Sequence, residues 1–295
     1  MSQHRPRWAP RPLGTDSLLW RYAGDHRLAL TGLSAGILQL MHPGIGAGVA
    51  QHSNFFEDPW DRILRSAPQI LGVVYGPEPE VVGRRVRDYH RSIRGVDHLG
   101  RTYSALDPAT FWWAHATFQY SVEKVVDRFD ARRLRPGERE ELYRDGVEWY
   151  RRYGVTMRPV PRDYGEYRTE WKRICREVLE MTPAAERAVE MALRNRSLGA
   201  PFLPWWTKPL QPFVVTPILQ LTAIGGLPDP VRRRFGIPWR IDQEVEYRTM
   251  QVAVREWFRW LPEGLRYGPV AASARKRVAE AIKQNAGPAD RAGAA

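Results

Sequence analysis

One histidine stands inside a ladder of arginines, in the stretch RRVRDYHRSIRG at residues 84–95. Val82, Val86, His90 and Ile93 follow at spacings of four, four and three, which on a helix stacks them on one face. Arg94 falls one turn further along. A neutral imidazole on an apolar helix face, with a guanidinium one turn away, suits a heme: the ring nitrogen ligates iron and the arginine neutralises a propionate. The same residues also suit a core histidine bonded to a backbone carbonyl, and the local pattern leaves both readings open.

Other residues offer related chemistry. In DPWDRILRS, Arg62, Arg65 and Ser66 occupy positions i, i+3 and i+4 of a helix that Pro59 begins, so they can share a face. A pair of arginines beside a pocket polarises bound oxygen or holds an anion; an exposed first turn balanced by Asp58 and Asp61 is the plainer account. Upstream, MHPGIGAGVAQHS carries His42 and His52, and Gly44, Gly46 and Gly48 admit close approach of a helix or a cofactor. It is no phosphate loop, since it lacks the Lys-Ser or Lys-Thr ending. Downstream, FWWAHATFQYSVE sets His115 among aromatic residues that include Trp112, as a core does and as a cofactor pocket does. The spacing of these histidines matches no short zinc motif.

The elements that must position these residues are helices. Helical periodicity dominates, without a convincing series of alternating strands. Candidate helices cover 16–41, 44–52, 59–75, 78–94, 108–128, 136–153, 163–180, 184–198, 209–224, 228–236, 242–260 and 269–285. Asp107 followed by Pro108 reads as an N-cap with proline at the first helical position. With neither a repeat nor a linker in view, the expectation is one all-α domain over residues 14–285, between loose ends at 1–13 and 286–295.

Composition narrows the function classes. The chain has 295 residues and 43% hydrophobic content, enough for a sizeable core. Its 45 basic and 33 acidic residues give +12, a charge that suits nucleic acid, an anionic membrane surface or an anionic ligand. Forty of the basic residues are Arg, scattered among Glu instead of forming a block, so solvated helix faces are the favoured account and a nucleic-acid partner is not expected. Cys175 stands alone, which rules out a disulfide framework or a cysteine metal site within one chain and points to the cytoplasm. There is no Cys-x-x-Cys-His, so a heme would be held without thioether bonds. MSQHRPRWAPRPLG does not read as a signal peptide, and Gln39, His42 and Pro43 interrupt the apolar run 28–50, so stable membrane insertion is not expected.

Taken in order, GDHRLALTGLSAGILQLMHPGIGAGVAQHS, DPWDRILRS, RRVRDYHRSIRG, YSALDPATFWWAHAT, GLPDPVRRRFGIPW and LPEGLRYGP resemble the superfamily of rubber oxygenases (latex-clearing proteins) and mpaB-type oxygenases, in particular its bacterial branch. The resemblance spans about residues 24–269, and it lies in the order and spacing of the segments more than in any one of them. It implies a globin-related helical domain enclosing a non-covalent b-type heme. The proximal His-x-x-x-Arg of the rubber oxygenases matches His90 and Arg94. Their distal Arg-x-x-Lys-Thr matches Arg62, Arg65 and Ser66 with two substitutions, so a lysine able to cap iron has become a longer, planar, permanently charged arginine. The acidic residue they use upstream as a base has no counterpart here, because Glu57 lies too near Arg62. His42 or His52 is the candidate for a polar distal role, and cleavage of polyisoprene is not carried over.

The resulting expectation is a heme b-dependent oxygenase or oxidase that uses O2 on a small to medium apolar organic substrate, with room for an electron-donor protein. His90 is the iron ligand, Val86, Arg94, Trp112 and His115 line the cofactor, and Arg62, Arg65, Ser66 and His42 stand on the oxygen side. The alternatives are a non-catalytic binder of heme or a lipophile, and a basic protein of nucleic acid or membrane surfaces.

Overall fold

The computed structural model describes residues 9–194 and 204–285. Its helices run in order α1 (Leu18–Tyr22), α2 (Ala29–Leu40), α3 (Pro43–His52), α4 (Pro59–Tyr75), α5 (Pro79–Asp88), α6 (Pro108–Lys124), α7 (Pro136–Arg151), α8 (Tyr164–Arg173), α9 (Pro183–Arg194), α10 (Val215–Gly225), α11 (Asp229–Arg234), α12 (Ile241–Trp260) and α13 (Pro269–Asn285). Among the described residues the only sheet is a hairpin of β1 (Arg94–Val96) and β2 (Thr102–Ser104), paired antiparallel with Gly95 opposite Tyr103. The chain is thus all-α apart from this hairpin. Residues 1–8 of the arm expected over 1–13, the tail expected at 286–295, and the end of the helix expected over 184–198 lie outside the described residues; in the described part of that arm, Arg11 pairs with buried Asp145 at 3.1 Å.

The helices begin where capping chemistry puts them. Asp58 accepts from the Asp61 N–H ahead of Pro59, and Asp107 accepts from the Ala109 and Thr110 N–H groups ahead of Pro108. At the centre lies α6, buried almost all round, with α2 and α7 against it; α2 also packs on α10, α3 on α9 and β2, and α12 on α10. Helices α6 and α8 each end in a widened π turn, Val125–Phe129 and Ile174–Val178. No single described helix is long and apolar enough to cross a membrane; His26–Leu40 and Pro43–His52 reach that length and composition only together, and they are bent by 99° at the break between them.

Helices α4 and α5 form the hairpin that matters for the site. The last carbonyls of α4 are bound: Arg152 donates to Val73 O at 2.8 Å, Trp20 Nε1 to Val74 O at 3.1 Å, and Arg277 to Tyr75 O at 2.7 Å. Its first three turns are open by comparison. Nothing in α4 before Val73 is buried, and the apolar Ile63, Ala67 and Ile70 are half-buried. Helix α5 is seated by Gly83, where an added Cβ would lie 2.1 Å from the Arg152 carbonyl oxygen.

Several expected helices are shorter. The stretch 16–41 is three pieces, because Asp25 caps a separate turn at His26–Leu28. The stretch 209–224 begins only at Val215, after a short 3-10 turn at Trp205–Leu210. The helix expected over 78–94 ends at Asp88. Beyond it, Asp97 accepts from the Leu99 and Arg101 N–H groups, and Gly100, with φ +80°, closes a hairpin that draws residues 94–96 into a strand.

Candidate functional site

His90 lies in the turn just past the end of α5. Its N–H donates to Arg87 O at 2.9 Å, and its Nδ1 lies 2.7 Å from Val86 O. A carbonyl cannot donate, so Nδ1 carries the hydrogen and the lone pair resides on Nε2. This bond is what a structural histidine makes, and it is also what orients a metal-binding one. Burial first, and then the charge of Arg62, hold the imidazole below its ordinary 6.5, so it stays neutral and able to ligate. The ring meets Phe111 edge-on at 5.7 Å.

Arg62 is the cation whose charge acts on His90. It is half-buried on α4, its Nη1 is in close contact with Ser66 Oγ, and Ser66 Oγ donates to Arg62 O at 2.8 Å. No carboxylate lies within ion-pair distance of it among the described residues. Burial and neighbouring Arg65 lower the pKa of the guanidinium. A partly desolvated cation without a carboxylate partner attracts negative charge.

The expected partners divide. Ser66 stays with Arg62, and Val86 is buried beneath His90. Arg65 turns outward: its side chain is 60% exposed, pairing with Asp61 at 2.8 Å and donating to Asn54 at 3.2 Å, so the expected shared face of two arginines is not formed. Arg94 does not sit one helical turn above His90, because the helix has ended; it is exposed at the start of β1.

His42 caps the start of α3, and its Nδ1 is enclosed without a partner among the described residues. Burial pushes it down to about 4, against the opposing pull of Asp107 and Glu180. Those neighbours, together with Arg101, set it apart from the Arg62 and His90 face. His52 is exposed. The α3 glycines receive protein instead of a cofactor: a Cβ on Gly46 would lie 2.5 Å from Leu40 O, and one on Gly48 3.2 Å from Ile93.

His115 and Trp112 lie one layer behind Phe111. His115 bonds Gly146 O through Nε2 at 2.8 Å, and its Nδ1 is enclosed without a partner among the described residues. Burial pushes it down to about 3. Trp149, Tyr150, Trp112 and Tyr153 surround it at ring distances of 4.9, 5.2, 5.8 and 5.9 Å. Phe111, the ring that touches His90, was missed from sequence; its position in the first turn after Asp107-Pro108 was the available signal. Cys175 is buried with its thiol pushed up to about 12, which removes it as a thiolate ligand at neutral pH. A cavity of about 130 Å³ between α9, α10 and α12, lined by Leu193, Leu221 and Gln243, includes none of these residues.

His90 offers one neutral imidazole whose Nε2 is left free by the Val86 bond, the kind of single donor that a macrocycle bringing its own four equatorial nitrogens would use. Among the described residues no three His, Cys, Asp or Glu side chains gather to hold a bare metal ion.

No curated protein and no solved structure matches the chain. The family model for the ER-bound oxygenase mpaB/B' and rubber oxygenase catalytic domain matches residues 20–256, a span that holds α4, the His90 turn and the aromatic layer behind it. Over most of its length, therefore, this chain belongs to the mpaB and rubber oxygenase family by its catalytic domain.

Proposed function

We propose that the protein is a heme b-dependent oxygenase or oxidase that acts with O2 on a small to medium apolar organic substrate. The observation that carries this reading is His90, neutral and with Nδ1 committed to Val86 O, under the charge of the carboxylate-free guanidinium of Arg62, within a chain of an oxygenase family.

Bound heme would supply the oxygen chemistry. His90 would hold it from the α5 side, its tautomer and ring orientation set by the Val86 carbonyl. Ser66 braces Arg62 from one turn along α4, so the guanidinium is positioned before any ligand arrives. There it would stabilise negative charge developing on oxygen and hold a hydrogen bond to it without giving up a proton, since arginine stays charged. The half-buried Ile63, Ala67 and Ile70 would cover the apolar ligand and exclude water. Arg94 would reach a propionate only from the hairpin surface, and His42 stands as a proposed polar residue outside the immediate face.

The test is an absorption spectrum and pyridine hemochrome assay of protein expressed with a heme precursor. One b-type heme per chain, lost in His90→Ala and restored by added imidazole, is the expected result. Protein that neither carries heme nor changes the spectrum of added hemin overturns the reading.

A further inference from the structure

A series of rings leads away from the His90 turn through the core. His90 meets Phe111 at 5.7 Å, Phe111 meets Tyr150 at 6.1 Å, Tyr150 meets Trp112 at 5.0 Å, Trp112 meets Tyr167 at 6.5 Å and Tyr167 meets Tyr164 at 6.1 Å. Tyr150, Trp112 and Tyr167 are buried, while Tyr164 is half-buried at the start of α8. Indole and phenol are the side chains that give up one electron most readily. Short steps between neighbouring rings carry a charge further than one long jump, and Phe111, which gives up no electron itself, bridges His90 to Tyr150.

The far end differs from the middle. The hydroxyls of Tyr150 and Tyr167 donate to the backbone carbonyls of Thr156 at 3.4 Å and Ala116 at 3.2 Å, which are too weakly basic to take a proton. The Tyr164 hydroxyl donates to the carboxylate of Glu123. Glu123 is only 4% exposed and pairs with Arg139 at 3.0 Å and with Arg168 at 3.9 Å. A phenol that loses an electron becomes a strong acid, so a base already on its hydroxyl decides where an electron hole comes to rest.

We infer that these rings form a one-electron path draining oxidising equivalents from the His90 face to Tyr164, with Glu123 receiving the phenol proton; this rests on the heme reading above. With hydrogen peroxide as oxidant the balance closes. Each peroxide takes two electrons and two protons and leaves as two waters. Each passage removes one electron and one proton from Tyr164, leaving a neutral phenoxyl radical. Ascorbate returns the radical to phenol by one-electron reduction and protonation, so two passages consume one peroxide. The path would spare the heme when no substrate is bound.

The experiment uses the heme-loaded full chain, with heme content measured first. After one equivalent of hydrogen peroxide, freeze-quenched samples are examined by electron paramagnetic resonance, and parallel samples are treated with a nitroso spin trap and mapped by peptide mass spectrometry. The expected result is a tyrosyl signal with adducts at Tyr164. Tyr164→Phe should remove that signal and raise heme bleaching per peroxide several-fold. Glu123→Gln, its folding checked by circular dichroism, should keep the phenol and lose the adduct. Adducts confined to exposed Tyr89, the sequence neighbour of His90, or bleaching unchanged in Tyr164→Phe, would overturn the path while leaving the heme reading intact. Failure to bind heme would overturn both.

Discussion

The His90 imidazole gives its Nδ1 hydrogen to Val86 O at 2.7 Å, and the guanidinium of Arg62 helps hold that same ring neutral. The first contact fixes which nitrogen is free. The second makes the face electropositive without placing an acid on it.

The influence of Arg62 on His90 can be read without any cofactor. Arg62→Gln removes the charge that helps lower His90, so the His90 pKa should rise toward its ordinary 6.5 in an NMR titration. An unchanged titration would mean that the two side chains do not share a face in solution.

Arg62 and Arg65 should separate cleanly in function. Arg65 is exposed and paired only at the surface, so Arg65→Ala should change stability by no more than about 0.5 kcal/mol and leave oxygen consumption intact. Arg62→Leu should lower the rate by on the order of 100-fold with heme content retained, as when a preorganised donor to developing negative charge is removed. Equal losses in both variants, measured with an oxygen electrode, would refute the division.

Gly83 sets the seat of α5 and through it the position of His90. In Gly83→Ala the new methyl would lie 2.1 Å from the Arg152 carbonyl oxygen, and backbone must move to admit it. The expected cost is about 1–3 kcal/mol in urea denaturation, together with faster transfer of heme to apomyoglobin. Full stability would show that α5 can shift freely.

Acid should unfold the protein partly through histidines that play no part in ligation. His115 and His42 are lowered from 6.5 to about 3 and about 4 by burial, so between those values and 6.5 the unfolded chain binds more protons than the folded one. Their contribution is complete above pH 6.5 and is lost as pH falls toward about 4 and then about 3. Carboxylates lowered by arginine partners, such as Asp127 and Glu148, lose stability in the same direction, so the test is a difference. His115→Gln should flatten the fall in urea-derived stability between pH 6.5 and 4.5 relative to the parent chain.

The sequence by itself determined the helical class and where many helices begin, because these depend on neighbours a few residues apart. Helix α4 runs over the expected 59–75, set by Asp58 and Pro59 at one end and Gly76 at the other, and α6 starts at the expected Asp107 and Pro108. The order of its segments also carried the family. Periodicity could not end α5 at Asp88, since residues 94–96 leave the helix to pair with 102–104, a choice made by partners six to ten residues away across the Gly100 turn. Nor could it decide that the charge of Arg62 bears on His90 while Arg65 leans out to Asp61, or that the ring meeting His90 is Phe111. A helical repeat tells which residues share a face. What that face meets is decided by the packing of α4 on α5, by Gly83 against Arg152, and by α6 behind them, and those contacts join residues far apart in the chain.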